Sequence, residues 1–102
     1  PLSLIAGNYY GSVYGNARPA DVMEAAISSS GVVKVTLGDG CKSSGSLTPV
    51  GPSFDIIMTT DSASCGGVRT SSGVATFDGS VGTVILVSSD KTAAAIAVLA
   101  KR

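Results

Sequence analysis

Short stretches of alternating apolar and polar residues run through this chain and are separated by turns that contain Gly with Ser, Asp or Pro. The clearest stretch is residues 53–60, in which Phe54, Ile56 and Met58 alternate with Asp55. A two-residue period is that of a β-strand with one buried face. Because the turn signals recur about every 8–12 residues, the pattern is typical of an all-β sandwich or barrel.

The pattern predicts about eight short strands. They are residues 8–14, 22–28, 32–37, 43–48, 53–60, 73–77, 82–88 and 92–100. A chain of 102 residues has room for one domain with one core. We therefore expect a single all-β domain over residues 1–102, an antiparallel meander that closes, or nearly closes, into a small barrel or sandwich.

Residues 21–29 fit two structures. Asp21 and Glu24 have the spacing of a capping box, and Met23 and the alanines that follow favour a helix. The run from Ile27 through three serines and a glycine into two valines instead resembles a strand, a turn and a second strand. The sequence leaves strand and short helix open here.

Three glycines and two tyrosines share the first predicted strand. With a period of two, Gly7, Gly11 and Gly15 lie on one face and Tyr10 and Tyr14 on the other. Glycines in a strand allow a sharp bend or a close approach of another backbone, as at a barrel corner. Tyr10 and Tyr14 are candidates for a binding surface if they are exposed, because tyrosine is enriched at interfaces. The alternative is that they are partly buried in the core.

The last two predicted strands carry apolar or small residues on both faces, at 83–87 and 94–99. Strands that are buried on both sides, or pressed against a partner, have this pattern. Either small residues tolerate partial exposure there, or the surface associates with a second copy or another partner. We expect a monomer or a weak homodimer.

The chain contains two cysteines, Cys41 and Cys65, and no histidine. A structural zinc site needs four ligands and a redox pair is usually C-x-x-C, so a disulfide is favoured over free thiols and over a metal site. Such a bond implies an oxidising compartment, that is, a periplasm, a cell surface or a secreted location. No apolar run is long enough to cross a membrane as a helix.

Composition argues against nucleic acid and against an enzyme. Seven basic and seven acidic residues give no net charge, whereas a nucleic-acid binder needs a basic surface. Nucleophilic Ser or Cys usually depends on a His base, which is missing. Asp39, Asp78 and Asp90 stand beside Gly or Ser, where aspartates stabilise turns. We expect no catalytic residues, no metal and no cofactor.

Several segments resemble a known group of proteins. They are GNYYG at 7–11, ISSSGVVKVT at 27–36, GDGC at 38–41 and SGSLTP at 44–49. Their order, followed by a second Cys and an Ala/Val-rich last strand, is similar to small exported proteins of Gram-negative bacteria, Burkholderia among them. The resemblance implies a periplasmic or surface protein, in some cases an immune-visible antigen, and carries no catalytic residues.

The sequence thus favours a non-catalytic exported protein that binds an unknown protein or envelope partner, or serves as a surface antigen. A first alternative is a small-ligand carrier, which needs an apolar cavity inside the barrel. A second is an inhibitor of a hydrolase that uses the disulfide-held loop 61–69, with Arg69 as its anchor.

Overall fold

The structure, a computed structural model, describes residues 2–102 and contains a closed antiparallel barrel of eight strands. The elements in chain order are α1 (Leu2–Ile5), β1 (Gly7–Gly15), β2 (Asp21–Ile27), β3 (Val32–Leu37), β4 (Lys42–Val50), β5 (Ser53–Thr60), α2 (Ser62–Cys65), β6 (Thr70–Asp78), β7 (Val81–Ser88) and β8 (Ala94–Lys101). Each strand pairs with its successor, and β8 pairs with β1 to close the sheet. The predicted all-β meander is confirmed, and it forms a barrel.

The barrel has two different ends. Helix α1 and the turns after β2, β4 and β6 lie at one end, which we call the lower end. The connections after β1, β3, β5 and β7 lie at the other end, which we call the upper end. The upper end carries the longer connections, at 16–20 and 61–69, and also the disulfide.

Residues 21–29, for which the sequence left strand and helix open, contain strand β2, so the alternative of a short helix there is wrong. Met23, Ala25 and Ile27 are buried, whereas the residues between them are exposed. Strand β2 pairs with β1 on one side and with β3 on the other. Burial of one face between two neighbours outweighs the local preference of Met and Ala for a helix. The two helices that do form, α1 and α2, have four residues each and lie elsewhere.

Aromatic side chains fill the lower half of the barrel. Tyr9, Phe54 and Phe77 point inward from the lower parts of β1, β5 and β6. The ring of Phe77 lies 5.7 Å from that of Tyr9 and 5.7 Å from that of Phe54. Helix α1 covers this end, because Ile5 is buried in the same core and Leu2 packs against it. The lower end is therefore closed.

Three inward-facing glycines allow neighbouring strands to approach closely. A Cβ atom at Gly11, Gly45 or Gly73 would overlap the backbone carbonyl oxygen of a residue in the next strand. These carbonyl oxygens belong to Val98, Ile57 and Ile85, respectively. The expected close approach at Gly11 is thus confirmed, and β4 and β6 use the same device.

Candidate functional site

The interior of the barrel contains an apolar cavity of about 190 Å³. Phe77 contributes to the lining from the aromatic lower half, and Met23, Met58, Val84 and Ala97 are among the buried side chains of the walls. The lining also includes exposed residues of the upper rim, so the cavity opens at that end.

Several of the inward-facing residues near the upper end are small and leave space for the cavity. The positions that face the cavity from the upper parts of their strands include Gly15, Ser43, Ser71, Ala95 and Ala97. Eight strands enclose a space that side chains can fill, or that can hold one small ligand. Here Tyr9, Phe54 and Phe77 fill part of the lower half, and the remaining space extends to the upper rim.

The cavity lining contains two charged residues, and both are arginines, Arg18 and Arg69. Four carboxylates belong to the upper end as well, but none of them lines the cavity. They are Asp21, Asp39, Asp61 and Asp90. The charged side chains that line the mouth are therefore both cationic, although carboxylates surround them and the protein as a whole has no net charge.

Arg18 connects two neighbouring loops of the rim. Its guanidinium donates to the carboxylate of Asp39 and lies 3.9 Å from that of Asp21. Asp39 in turn accepts a 2.9 Å hydrogen bond from the backbone N–H of Cys41, and Asp21 accepts one from the backbone N–H of Asp39. The charge of Arg18 is thus balanced by two carboxylates, and its position is fixed.

Arg69 has a fixed backbone and an exposed side chain. Its backbone N–H donates a 2.7 Å hydrogen bond to Thr60 Oγ1, and its carbonyl accepts one from the backbone N–H of Thr60. Within residues 2–102, its guanidinium has no carboxylate within 4.0 Å. The sequence proposed Arg69 as the anchor of the disulfide-held loop 61–69, and the structure places this residue in the same connection and in the lining of the cavity mouth.

The disulfide joins Cys41, in the turn after β3, to Cys65 at the end of α2, with 4.6 Å between the two Cα atoms. This pairing was predicted and is confirmed. Asp61 caps α2 by accepting hydrogen bonds from the backbone N–H and hydroxyl of Ser64, and these bonds lower the pKa of the Asp61 carboxyl. The connection 61–69, proposed as an inhibitory loop, therefore begins with a capped helical turn that is bonded to the rim.

Asp90 organises the connection between β7 and β8. Its Oδ1 atom accepts hydrogen bonds from the hydroxyl of Ser88 and from the hydroxyl and backbone N–H of Thr92. These hydrogen bonds hold the pKa of Asp90 well below its usual range. The Ser88 hydroxyl also accepts from the backbone N–H of Ala93, which lines the cavity. The aspartate predicted as a turn residue therefore shapes one side of the mouth.

The outside of the barrel carries fewer charged residues over β1, β8, β7 and β6 than over β2, β3 and β4. A cross-strand row on β1, β8, β7 and β6 is formed by Tyr14, Ile96, Ile85 and Val74. All four are exposed, Ile85 by 54%. We call this row, with the adjacent Val98, the apolar wall. The outward residues of β2, β3 and β4 instead include Glu24, Lys34, Thr36 and Ser44.

The two tyrosines predicted as a binding surface lie on the outer face of β1. Tyr10 and Tyr14 are exposed on β1, so the alternative that they form part of the core does not hold. The guanidinium of Arg102 stacks 5.0 Å from the Tyr10 ring centroid. Because Arg69 lines the cavity mouth instead, the structure does not join the three predicted residues into one site.

The cavity residues Arg18, Met23 and Met58 were not predicted as a group from the sequence. The available signal was the series of small residues on the inward faces of β6 and β8, but reading it requires the barrel register. Residues 2–102 do not bring three His, Cys, Asp or Glu side chains together as metal ligands. Among the same residues, no helix has the length and apolarity needed to span a bilayer.

Comparison with protein-family models, with curated proteins and with solved structures found no match. The geometry of the barrel is therefore the basis for a functional proposal. Its two distinctive features are the open apolar cavity and the apolar wall.

Proposed function

We propose that this protein is a non-catalytic exported carrier that holds a small, largely apolar molecule inside its barrel. The observation that carries the proposal is the apolar cavity, which is closed below by aromatic rings and open at the upper rim. A carrier needs such a space, whereas a barrel filled by its own side chains cannot bind a ligand inside.

The volume limits the size of the ligand. An engineered cavity of about 150 Å³ lined by apolar side chains binds benzene, and pockets for drug-sized molecules are about 300–1,000 Å³. The cavity of about 190 Å³ therefore suits an apolar group of about the size of one ring. The ligand class that we propose is small aromatic or similarly compact molecules.

The proposed location follows from the disulfide. Cys41 and Cys65 are joined, and disulfides persist mainly in oxidising compartments. The similarity of several segments to small exported bacterial proteins supports the same location. A periplasmic, surface or secreted carrier would meet small molecules outside the cytoplasm.

The two methionines of the chain allow a direct test, because both line the cavity. With ¹³C-labelled methionine methyl groups, benzene titrated up to its solubility limit should shift the signals of Met23 and Met58 in a saturable manner. An absence of any shift would refute the carrier proposal.

A pair of matched variants shows whether the shift comes from the cavity. Ala97 faces the cavity, and Ala100 faces outward on the same strand. Ala97→Leu should fill the space and abolish the saturable shift, whereas Ala100→Leu should leave it unchanged. Equal binding by the two variants would mean that benzene binds elsewhere.

A second candidate function is association through the apolar wall, with a second copy of this chain as the partner. The row Tyr14, Ile96, Ile85 and Val74, and the row Ser12, Val98, Thr83 and Thr76 beside it, contain no charged residue. These rows of one copy can therefore pack against the same rows of a second copy without repulsion between like charges.

The test of this candidate is sedimentation over a range of protein concentrations. Dimers should form in the wild type and disappear in Ile85→Lys, which places a charge in the wall. Val32→Lys, on the outer side of β3, is the matched control and should leave the dimer intact. A wild type that stays monomeric throughout would eliminate this candidate.

A further inference from the structure

We infer that the ligand of the cavity carries a carboxylate, which the guanidinium of Arg69 binds at the mouth. This inference rests on the proposed carrier function and specifies its ligand as a small amphiphilic carboxylate. The apolar part would lie among Met23, Met58 and Ala97, and the charged group would remain at the rim.

The charge of the lining favours an anionic ligand. A ligand inside the cavity meets two arginines and no carboxylate, because every acidic residue of the upper end lies outside the lining. Of the two arginines, Arg18 is already paired with Asp39 and lies near Asp21. Arg69 has no ion pair within residues 2–102, although it is close enough to Asp90 to contribute to the lowered pKa of that group. Arg69 is thus the cation available to a ligand.

Three hydroxyl side chains lie on the same side of the mouth as Arg69. Ser43, Thr60 and Ser71 lie on β4, β5 and β6 and all line the cavity. Ser43 pairs with Thr60 across the sheet, and Ser71 follows Arg69 closely along the chain. The hydroxyls of Ser43 and Ser71 make no side-chain hydrogen bond to residues 2–102, so they can donate to an oxygen of the ligand.

Arg18 supplies a third observation. Its Nε atom is buried and has no hydrogen-bond partner within residues 2–102. Its terminal nitrogen, in contrast, contacts the carboxylates of Asp39 and Asp21. A buried donor without a partner is costly. Its charge is nevertheless held by Asp39 and Asp21, so Arg69 is the arginine that remains free to bind a ligand.

The recognition chemistry favours a carboxylate. The planar fork of an arginine matches the two oxygens of a carboxylate, and such charged hydrogen bonds are stronger than neutral ones. A single unpaired arginine balances a single negative charge. A monoanion with one apolar ring fits both the charge and the volume of about 190 Å³.

Three ligands of nearly equal shape test the inference. They are phenylacetate, 2-phenylethanol and 2-phenylethylammonium, which carry negative, zero and positive charge. Titration of the full chain is followed by the methyl signals of Met23 and Met58, which report occupancy of the cavity. Phenylacetate should bind about tenfold more tightly than the alcohol, and the ammonium compound more weakly than either.

Variants assign this preference to one residue. Arg69→Gln should remove most of the tenfold advantage of phenylacetate and should change the affinity for 2-phenylethanol by less than about twofold. Lys42→Gln is the matched control, because Lys42 is a cation at the same end that does not line the cavity. It should leave the preference for phenylacetate in place.

The possible failures are distinguishable. If benzene shifts the methionine signals but phenylacetate binds no more tightly than the alcohol, the carboxylate inference is wrong and the carrier proposal stands. If phenylacetate is preferred but Arg69→Gln and Lys42→Gln reduce the preference equally, the role of Arg69 is wrong. If none of these compounds shifts either signal, the carrier proposal itself is wrong.

Discussion

The hydroxyl of Tyr9 donates a 2.6 Å hydrogen bond to the backbone carbonyl of Ile5 and thereby attaches helix α1 to the interior of the barrel. Tyr9 is 1% exposed, and its ring packs against Phe77. The bond lets a four-residue helix, too short to be stable by itself, close the lower end. One buried side chain thus fills the core and holds the floor in place.

We predict that Tyr9→Phe lowers the free energy of unfolding by about 1–2 kcal/mol, because the Ile5 carbonyl loses its side-chain donor in a buried place. Urea denaturation measures the change. Tyr14→Phe is the matched control, since Tyr14 is exposed on the outer wall, and it should have little effect. Equal effects of the two substitutions would contradict the assigned role of the bond.

Burial also raises the pKa of Tyr9 above its usual value of about 10. The unfolded chain ionises first as the pH rises, so this contribution to stability is complete below pH 10 and is lost as the pH rises through the folded-state pKa. Tyr9→Phe should therefore be less sensitive to alkaline pH than the wild type, as measured by urea denaturation between pH 8 and about 11.

The strands were predictable because each has one buried face and a turn at its end. The pattern in residues 32–37 and 53–60 gave the observed bounds of β3 and β5. The short helices were not predictable, because α1 depends on a hydrogen bond from Tyr9 and α2 on the cap at Asp61 and the disulfide. Those interactions are not visible in the apolar and polar pattern of a single segment, which was the basis for predicting the strands.

We predict that Gly73→Ala destabilises the barrel by about 3 kcal/mol, because the added Cβ would overlap the carbonyl oxygen of Ile85 and force β6 away from β7. Gly67→Ala is the matched control, since no atom lies within 4 Å of the position of its Cβ. Urea denaturation of both variants provides the test. A Gly73→Ala protein as stable as Gly67→Ala would show that β6 does not need the close approach.

The cavity shows where prediction from sequence stops. The residues that leave the space empty, such as Ala97 on β8 and Ser71 on β6, are ordinary strand residues when each strand is considered alone. The empty volume results from the register of all eight strands together. The same reason applies to Arg69, because the sequence placed it on the disulfide-held loop 61–69, and only the folded barrel shows that this loop brings it to the cavity mouth.

We predict that replacing Cys41 and Cys65 together by Ser lowers the free energy of unfolding by about 3.5 kcal/mol, because the crosslink no longer restricts the unfolded chain. The two cysteines are 24 positions apart, and the crosslink ties the turn after β3 to α2. Urea denaturation of the double variant measures the loss.

Wild-type protein treated with a reducing agent should reproduce the stability of the double variant, which separates loss of the bond from effects of the substitutions. Before reduction, the native protein should resist alkylation at both sulfurs and should have the mass of the oxidised form. Two freely alkylated thiols in the untreated protein would overturn the disulfide and the exported location proposed from it.

The hydrogen bonds at Asp90 predict a dependence of stability on acid pH. The hydroxyls of Ser88 and Thr92 and the backbone N–H of Thr92 stabilise the ionised carboxylate, so its pKa is lower in the folded than in the unfolded state. The stability gained in this way is present above the unfolded-state pKa of about 4 and is lost as the pH falls through the folded-state pKa.

We therefore predict that Asp90→Asn lowers the urea midpoint at pH 7, and that the difference from the wild type narrows steadily as the pH falls below about 4. Asp78→Asn is the matched control, because no group within residues 2–102 donates a hydrogen bond to the Asp78 carboxylate and Asp78 ends β6 at the lower end of the barrel. Its midpoint should stay close to that of the wild type at pH 7. If the difference between Asp90→Asn and the wild type did not change with pH, the substitution would act through the shape of the loop. An effect of the carboxylate charge must become smaller at low pH, because Asp90 of the wild type is then protonated as well.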